Sequence, residues 1–227
     1  MPSTNIFEEL SDESHLDNGS NDLLLDGTSL VKVTLPKNET KLLVVCEKYI
    51  ERVNIHTYQP AGEIYKQMYV CKNENCPLCA SGEKLAYRLL LPVYNVESGE
   101  MEVFPFPQHT EFKSLYPQII AVLKEQELPV LIRVFHGEKF TYSVTIGAIP
   151  ENIVASIKAK SEAFMSAVKD GTIKLSGVIK VIDNNLLNDR NLQRKLMFAG
   201  YDYKAFLTEE KVAFEDEEEF VMLLSQP

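Results

Sequence analysis

Tyr87-Arg-Leu-Leu-Leu-Pro-Val-Tyr-Asn95 and Met101-Glu-Val-Phe-Pro-Phe106 are two β-type runs separated by Glu97-Ser-Gly-Glu100. They read as a strand pair across a turn. Toward the N-terminus, Leu30-Val-Lys-Val-Thr-Leu35 alternates apolar and polar residues, and Lys41-Leu-Leu-Val-Val-Cys-Glu47 has the character of a buried strand. Pro36-Lys-Asn-Glu-Thr40 punctuates them as a turn. Toward the C-terminus, Val130-Leu-Ile-Arg-Val-Phe135, the turn His136-Gly-Glu-Lys139 and Phe140-Thr-Tyr-Ser-Val-Thr-Ile146 form a further hairpin. Six strands in hairpins with turn punctuation predict a small β-barrel.

Helical periodicity comes later. Phe112, Leu115, Tyr116, Ile119, Ile120 and Leu123 recur at three- and four-residue spacing, with Pro117 near the first turn. A longer stripe of Ile153, Val154, Ile157, Phe164, Met165 and Val168 lies between Pro150 and Gly171. A last helix is expected over Asp189 to Phe198, closed by Gly200. The expected class is α+β: a five- or six-stranded barrel over 29–147, followed by a mostly helical extension over 148–207.

The 227 residues are 45% hydrophobic and 25% charged, which excludes a collagen-like or wholly disordered chain. No apolar stretch approaches the roughly 18 residues of a spanning helix. The first ten residues carry neither a basic lead nor an apolar run, so an intracellular location without membrane association is expected. The net charge of −10 is unevenly spread. Residues 1–31 hold −7 and residues 208–227 hold −6, which leaves +3 on 32–207. Residues 1–28 read as an acidic disordered segment and 208–227 as an acidic tail.

Cys71-Lys-Asn-Glu-Asn-Cys76-Pro-Leu-Cys79 is the most specific chemical signal. Cysteines two residues apart can turn both thiolates toward one ion, and tetrahedral Zn²⁺ takes four nitrogen or sulfur ligands. Cys71, Cys76 and Cys79 supply three. His56, fifteen positions before Cys71 at the end of a β-type run, is the best fourth ligand, and Cys46 is its rival. Four protein ligands make a closed, structural site with no place for a reactive water. A base-deaminase reading fails because His56-Thr-Tyr58 lacks the required Glu, and the proline lies inside the Cys76–Cys79 pair. H-E-x-x-H, the P-loop, G-x-G-x-x-G and G-x-S-x-G are all absent, so no enzyme activity is expected.

His56, Cys71, Cys76-Pro-Leu-Cys79, Gly82 and the Tyr94-Asn-Val-Glu-Ser-Gly99 hairpin together resemble the bacteriophage single-stranded-DNA-binding proteins of the zinc-containing OB-fold type. Arg133-Val-Phe-His-Gly137 followed by Phe140-Thr-Tyr142 resembles a strand pair of the same family. The acidic Phe214-Glu-Asp-Glu-Glu-Glu-Phe220 resembles its partner-recruiting tails. The resemblance covers about residues 29–147 and the tail. It implies an OB-like barrel with a zinc lobe, non-catalytic binding of single-stranded DNA in phage replication or recombination, and tail contacts with phage replication proteins. The implied location is the cytoplasm of the infected bacterial host.

Sequence-independent binding of single strands needs a positive groove and aromatic faces for base stacking. Basic and aromatic residues interleave at Tyr49, Arg52, Tyr58, Tyr65, Lys66, Tyr69, Lys72, Lys84, Tyr87 and Arg88, and again at Arg133, Phe135 and Lys139. Strand alternation places Arg133 and Phe135 on one face, with Ile132 and Val134 opposite. The competing reading is an acidic module that binds host transcription or replication machinery, motivated by the overall −10.

Overall fold

The computed structural model describes residues 30–111, 113–138 and 141–207. The acidic segments 1–28 and 208–227, together with Phe112, Lys139 and Phe140, lie outside these described residues. Seven strands form one antiparallel sheet: β1 (Thr40–Val45), β2 (Glu51–Tyr58), β3 (Gln67–Val70), β4 (Leu85–Asn95), β5 (Glu100–Pro107), β6 (Val130–His136) and β7 (Tyr142–Gly147). The helices are α1 (Pro77–Ala80), α2 (Leu115–Glu125), α3 (Val154–Lys169), α4 (Asn184–Leu187) and α5 (Arg190–Phe198). The sheet order is β3-β2-β4-β1-β6-β7, with β5 on the other edge of β4.

One edge of β4 is shared. β2 covers it up to the Glu51–Leu90 pair, and β1 takes over at the Val44–Tyr94 pair. Pro92 falls in the gap between them. Its partner across β5 is Val103, whose C=O accepts from Val33 N at 2.8 Å and whose N–H donates to Val31 O at 2.9 Å. Val103 therefore turns its backbone away from β4, and Pro92 turns its own away from β5. The missing proline N–H points where no strand asks for one, which is how a proline survives inside a buried strand.

Helices cover both faces of the sheet. Leu89, Leu91 and Val93 of β4 join Leu43, Phe104, Phe106 and Ile132 beneath Ile119 and Leu123 of α2. Leu90 and Tyr94 point the other way, with Val44, Ile55 and Val103, toward Ile157, Phe164 and Met165 of α3. Burial on both sides makes β4 read as a continuous apolar run with no alternation. A third core joins Tyr58, Tyr69, Cys71, Cys76 and Leu78 to Ile182, Leu186, Leu187, Leu192 and Leu196.

The expected barrel does not close: β3, β5 and β7 make strand ladders along one edge only. With α2 and α3 burying the two faces, the sheet need not curl onto itself to hide one of them. The strand expected over Leu30–Leu35 contracts to a single bridge between Lys32 and Val103. The seven strands instead include β2 and β3, which turn polar residues toward solvent or toward the third core. The helices stand close to their expected places. α2 has Pro117 in its first turn, and α5 is capped by Asp189, whose carboxylate accepts from Leu192 N at 2.9 Å.

Asp189 also ties α5 to the sheet. It accepts from the Tyr58 hydroxyl at 2.6 Å and from Ala61 N at 2.5 Å. Burial raises its carboxyl, but these donors and the Leu192 and Asn191 N–H groups outweigh burial and hold it below the usual range. A depressed carboxylate stabilises the fold fully above the ordinary carboxylate range and loses that contribution as pH falls through its folded value. Asp189→Asn should therefore flatten the stability–pH curve in that acidic window, as read by urea unfolding at successive pH values. Leu192→Ala or Leu196→Ala, both at 0% exposure, should each cost about 2–5 kcal/mol in the same assay.

Candidate metal centre

His56, Cys71, Cys76 and Cys79 converge, with one potential ligand atom from each lying within 4.8 Å of every other. Three local features bring them together. Arg52, Asn54 and His56 share one face of β2, where Arg52 is exposed and Asn54 half-buried, whereas His56 is fully buried under the loop that follows β3. Within that loop Asn73 and Asn75 adopt φ of 58° and 56°. This left-handed conformation is one that asparagine tolerates well, and here it reverses the chain between Cys71 and Cys76. Pro77 then opens the single-turn α1, and Gly82 at φ 82° ends it, donating to Cys79 O at 3.0 Å.

The donor geometry suits a tetrahedral ion. His56 Nε2 lies 3.2 Å from Cys79 Sγ, and Cys71 Sγ lies 3.6 Å from Cys79 Sγ. Zinc at its usual bond lengths separates two sulfur ligands by about 3.8 Å. His56 Nδ1 sits 3.1 Å from Lys84 O. Donation there leaves the Nε2 lone pair facing the thiols, the outer-shell orientation typical of ligating histidines. Burial lowers the His56 pKa, with the Lys84 carbonyl opposing, which favours the neutral ring that ligation requires.

Thiol electrostatics point the same way. Burial raises Cys76, yet the backbone N–H groups of Cys79, Lys72 and Leu78 and the Cys71 thiol override it and lower its pKa. Burial, the Cys71 thiol and the neighbouring Cys76 push Cys79 up to about 12. Three thiols packed this closely repel a second and third negative charge, and a divalent cation removes that repulsion. The cluster can hold a metal ion such as zinc. Cys46 stands apart, half-buried against the α3-facing core with its Sγ 3.7 Å from Val44 O.

The residues expected to contact DNA separate into groups. Arg52 and Tyr87 lie side by side, the guanidinium 3.8 Å from the ring centroid and Tyr87 40% exposed. Lys72 and Lys84 are exposed on the metal lobe, Tyr65 is exposed and Lys66 is half-buried. Three others face inward. Tyr58 is buried with its hydroxyl on Asp189, Tyr69 is buried with its hydroxyl on Gln67 Oε1 at 2.9 Å, and Arg88 is 4% exposed. Burial is also the leading reason why both phenols are shifted well above their usual pKa. Tyr49 is half-buried against the α3-facing core. Arg133 and Phe135 are exposed, but register puts them on the face opposite Tyr87. Lys139 lies outside the described residues.

Two asparagines were not legible as site residues. Asn54 Nδ2 donates to Asn73 Oδ1 at 3.2 Å, linking the outer face of β2 to the cysteine loop. Arg52, Asn54, Asn73 and Tyr87 line one cavity of about 470 Å³ beside that loop.

Cys76→Ser or Cys79→Ser should abolish stoichiometric zinc binding and lower the melting temperature, since structural metal binding is coupled to folding. Atomic absorption on the purified variants checks this, and full zinc content would reject the ligand assignment. Compared with known proteins, the chain matches no family model, no curated protein and no solved structure.

Proposed function

We propose that this chain is a non-catalytic, largely sequence-independent single-stranded-DNA-binding protein acting in phage DNA replication or recombination, with a structural zinc ion in the His56–Cys79 lobe. The exposed Arg52–Tyr87 pair in its cavity beside the metal loop carries the reading. An aromatic face offers stacking to any base, worth about 1–3 kcal/mol per base. The guanidinium alongside supplies a charge that needs no sequence information and fits a phosphate. Asn54 and Asn73 add amide donors within the same cavity, and Lys72 and Lys84 add exposed cations from the lobe.

The order of elements supports an OB-like ancestry for the sheet. A bent first strand broken into β1 and β2, then β4, β5, α2 and the β6–β7 hairpin follow the sequence of that barrel opened out. OB folds bind oligonucleotides on strands 2 and 3 and on the loops joining strands 1–2 and 4–5. Those loops correspond here to the metal lobe and to the connection from β6 to β7. Zinc, when bound, supplies the cross-link that holds the lobe's wall in place. His56 and the three cysteines hold the ion, and the loop they brace presents Lys72 and Asn73.

The deciding experiment is fluorescence anisotropy of labelled oligo-dT against the zinc-loaded protein across a salt series, with duplex as control. Single strands should bind in preference, with log K falling by about 0.7 per phosphate contact for each decade of salt. Tyr87→Ala should weaken binding about 5- to 150-fold, in line with the loss of one stacked base. Absence of binding at low salt with zinc present overturns the reading and favours an acidic protein-interaction module.

A further inference from the structure

We infer that α5 is a second contact surface for the same single strand, extending its track from the Arg52–Tyr87 cavity across the metal lobe; this rests on the single-strand reading above. α5, Arg-Asn-Leu-Gln-Arg-Lys-Leu-Met-Phe, has three cations and no acidic residue. Leu192 and Leu196 are fully buried in the third core, which fixes the helix on the lobe. Its other side faces water. Arg190, Asn191 and Arg194 are exposed, and Phe198 is 93% and Met197 68% exposed. Phe198, one turn beyond Arg194, is left uncovered by the other described residues. Among the described residues, no acidic side chain forms an ion pair with Arg190 or Arg194.

The surface is concave. Residues 57–63, at the end of β2 and in the turn after it, face α5 across a groove of about 590 Å³ lined by Lys66, Arg194, Lys195 and Phe198. Glu63 and Glu83 are its acidic members, and Glu83 is already held in an ion pair by Lys195. Lys195 and Glu83 offset one another, so the lining leaves Lys66 and Arg194 against Glu63, an excess of one positive charge. Arg190 and Arg194 stand one helical turn apart, about 5–6 Å between their Cβ atoms, so both reach one extended polyanion. Phe198 continues the row and offers a stacking face.

Continuity with the first cavity selects nucleic acid over an acidic polypeptide. Tyr87 and Leu85 share one face of β4, and Leu85 is 46% exposed. Glu83, two residues before Leu85, is the group that grips Lys195. A strand stacked on Tyr87 and running toward the start of β4 thus arrives at α5.

The test is a length ladder of labelled oligo-dT, titrated with the full-length, zinc-loaded chain and with the double variant Arg194→Ala/Phe198→Ala. Both positions are solvent-exposed, and an unchanged melting temperature verifies that the variant is folded. The variant should bind long strands about tenfold or more weakly, with a salt slope shallower by about 0.7 for the lost phosphate contact. Its affinity for the shortest strands that the parent binds should be unchanged. Arg190→Glu, outside the groove on the first turn, should act in the same direction. Parent-like affinity of the double variant for every length, while Tyr87→Ala is impaired, overturns the α5 track and leaves the single-strand reading standing. Failure of the parent to bind any strand removes the reading itself. Binding of a labelled polyglutamate peptide by the parent but not by the double variant, with DNA binding unaffected, would assign α5 to an acidic protein and also overturn the proposal.

Discussion

β4 is held on every side, and the other elements are arranged around that constraint. Its edges pair with β2, β1 and β5, and its two faces sit under α2 and α3. A register slip of one residue would exchange Leu89, Leu91 and Val93 for Leu90 and Tyr94 and so unsettle both cores together. The gap at Pro92 is the one relaxation the strand permits, and it sets where β2 stops and β1 begins. Because β2 ends in the His56 and Tyr58 side chains, fixing β2 on β4 also fixes the edge of the metal lobe.

The lobe is too small to hold itself together by apolar burial. Within it, Leu78 is the largest fully buried residue, and one such leucine contributes about 1.5–3 kcal/mol. Two outside sources can supply stability. The donor set of His56 and three cysteines can hold a metal ion. Leu186, Leu187, Leu192 and Leu196 bring an apolar cover from the far end of the chain. Asp189 joins the cover to β2 through Tyr58 and Ala61. The same cover carries the cationic face of α5, so the metal lobe positions a surface to which it contributes few residues.

The readable parts of the sequence were those governed by local spacing. The cysteine cluster declared itself because three ligands lie within nine residues, and His56 followed from its place on a β-type run. Pro117 marked the first turn of α2, and the last helix was bounded by Asp189 and Gly200. Tertiary placement was less legible. Tyr58 and Tyr69 carry the same composition signal as Tyr87, and only the cover formed by α4 and α5 turns them into core residues. Arg133 and Phe135 alternate correctly, yet the face they occupy depends on which helix lies over which side of the sheet. An open sheet and a closed barrel share one strand pattern, and α3 decides between them by burying the second face.

The third core also fixes an order of events. Tyr58 and Asp189 are 131 residues apart in sequence, whereas the four converging ligands span only residues 56–79. A chain synthesised from its N-terminus completes the cysteine loop long before the leucines of α4 and α5 exist to shield it. During that interval the loop has only contacts within residues 54–79 to close it, such as that of Asn54 Nδ2 with Asn73 Oδ1, and apolar docking follows once α5 has emerged. The late-made helices therefore settle on a loop whose four candidate ligands are already in place.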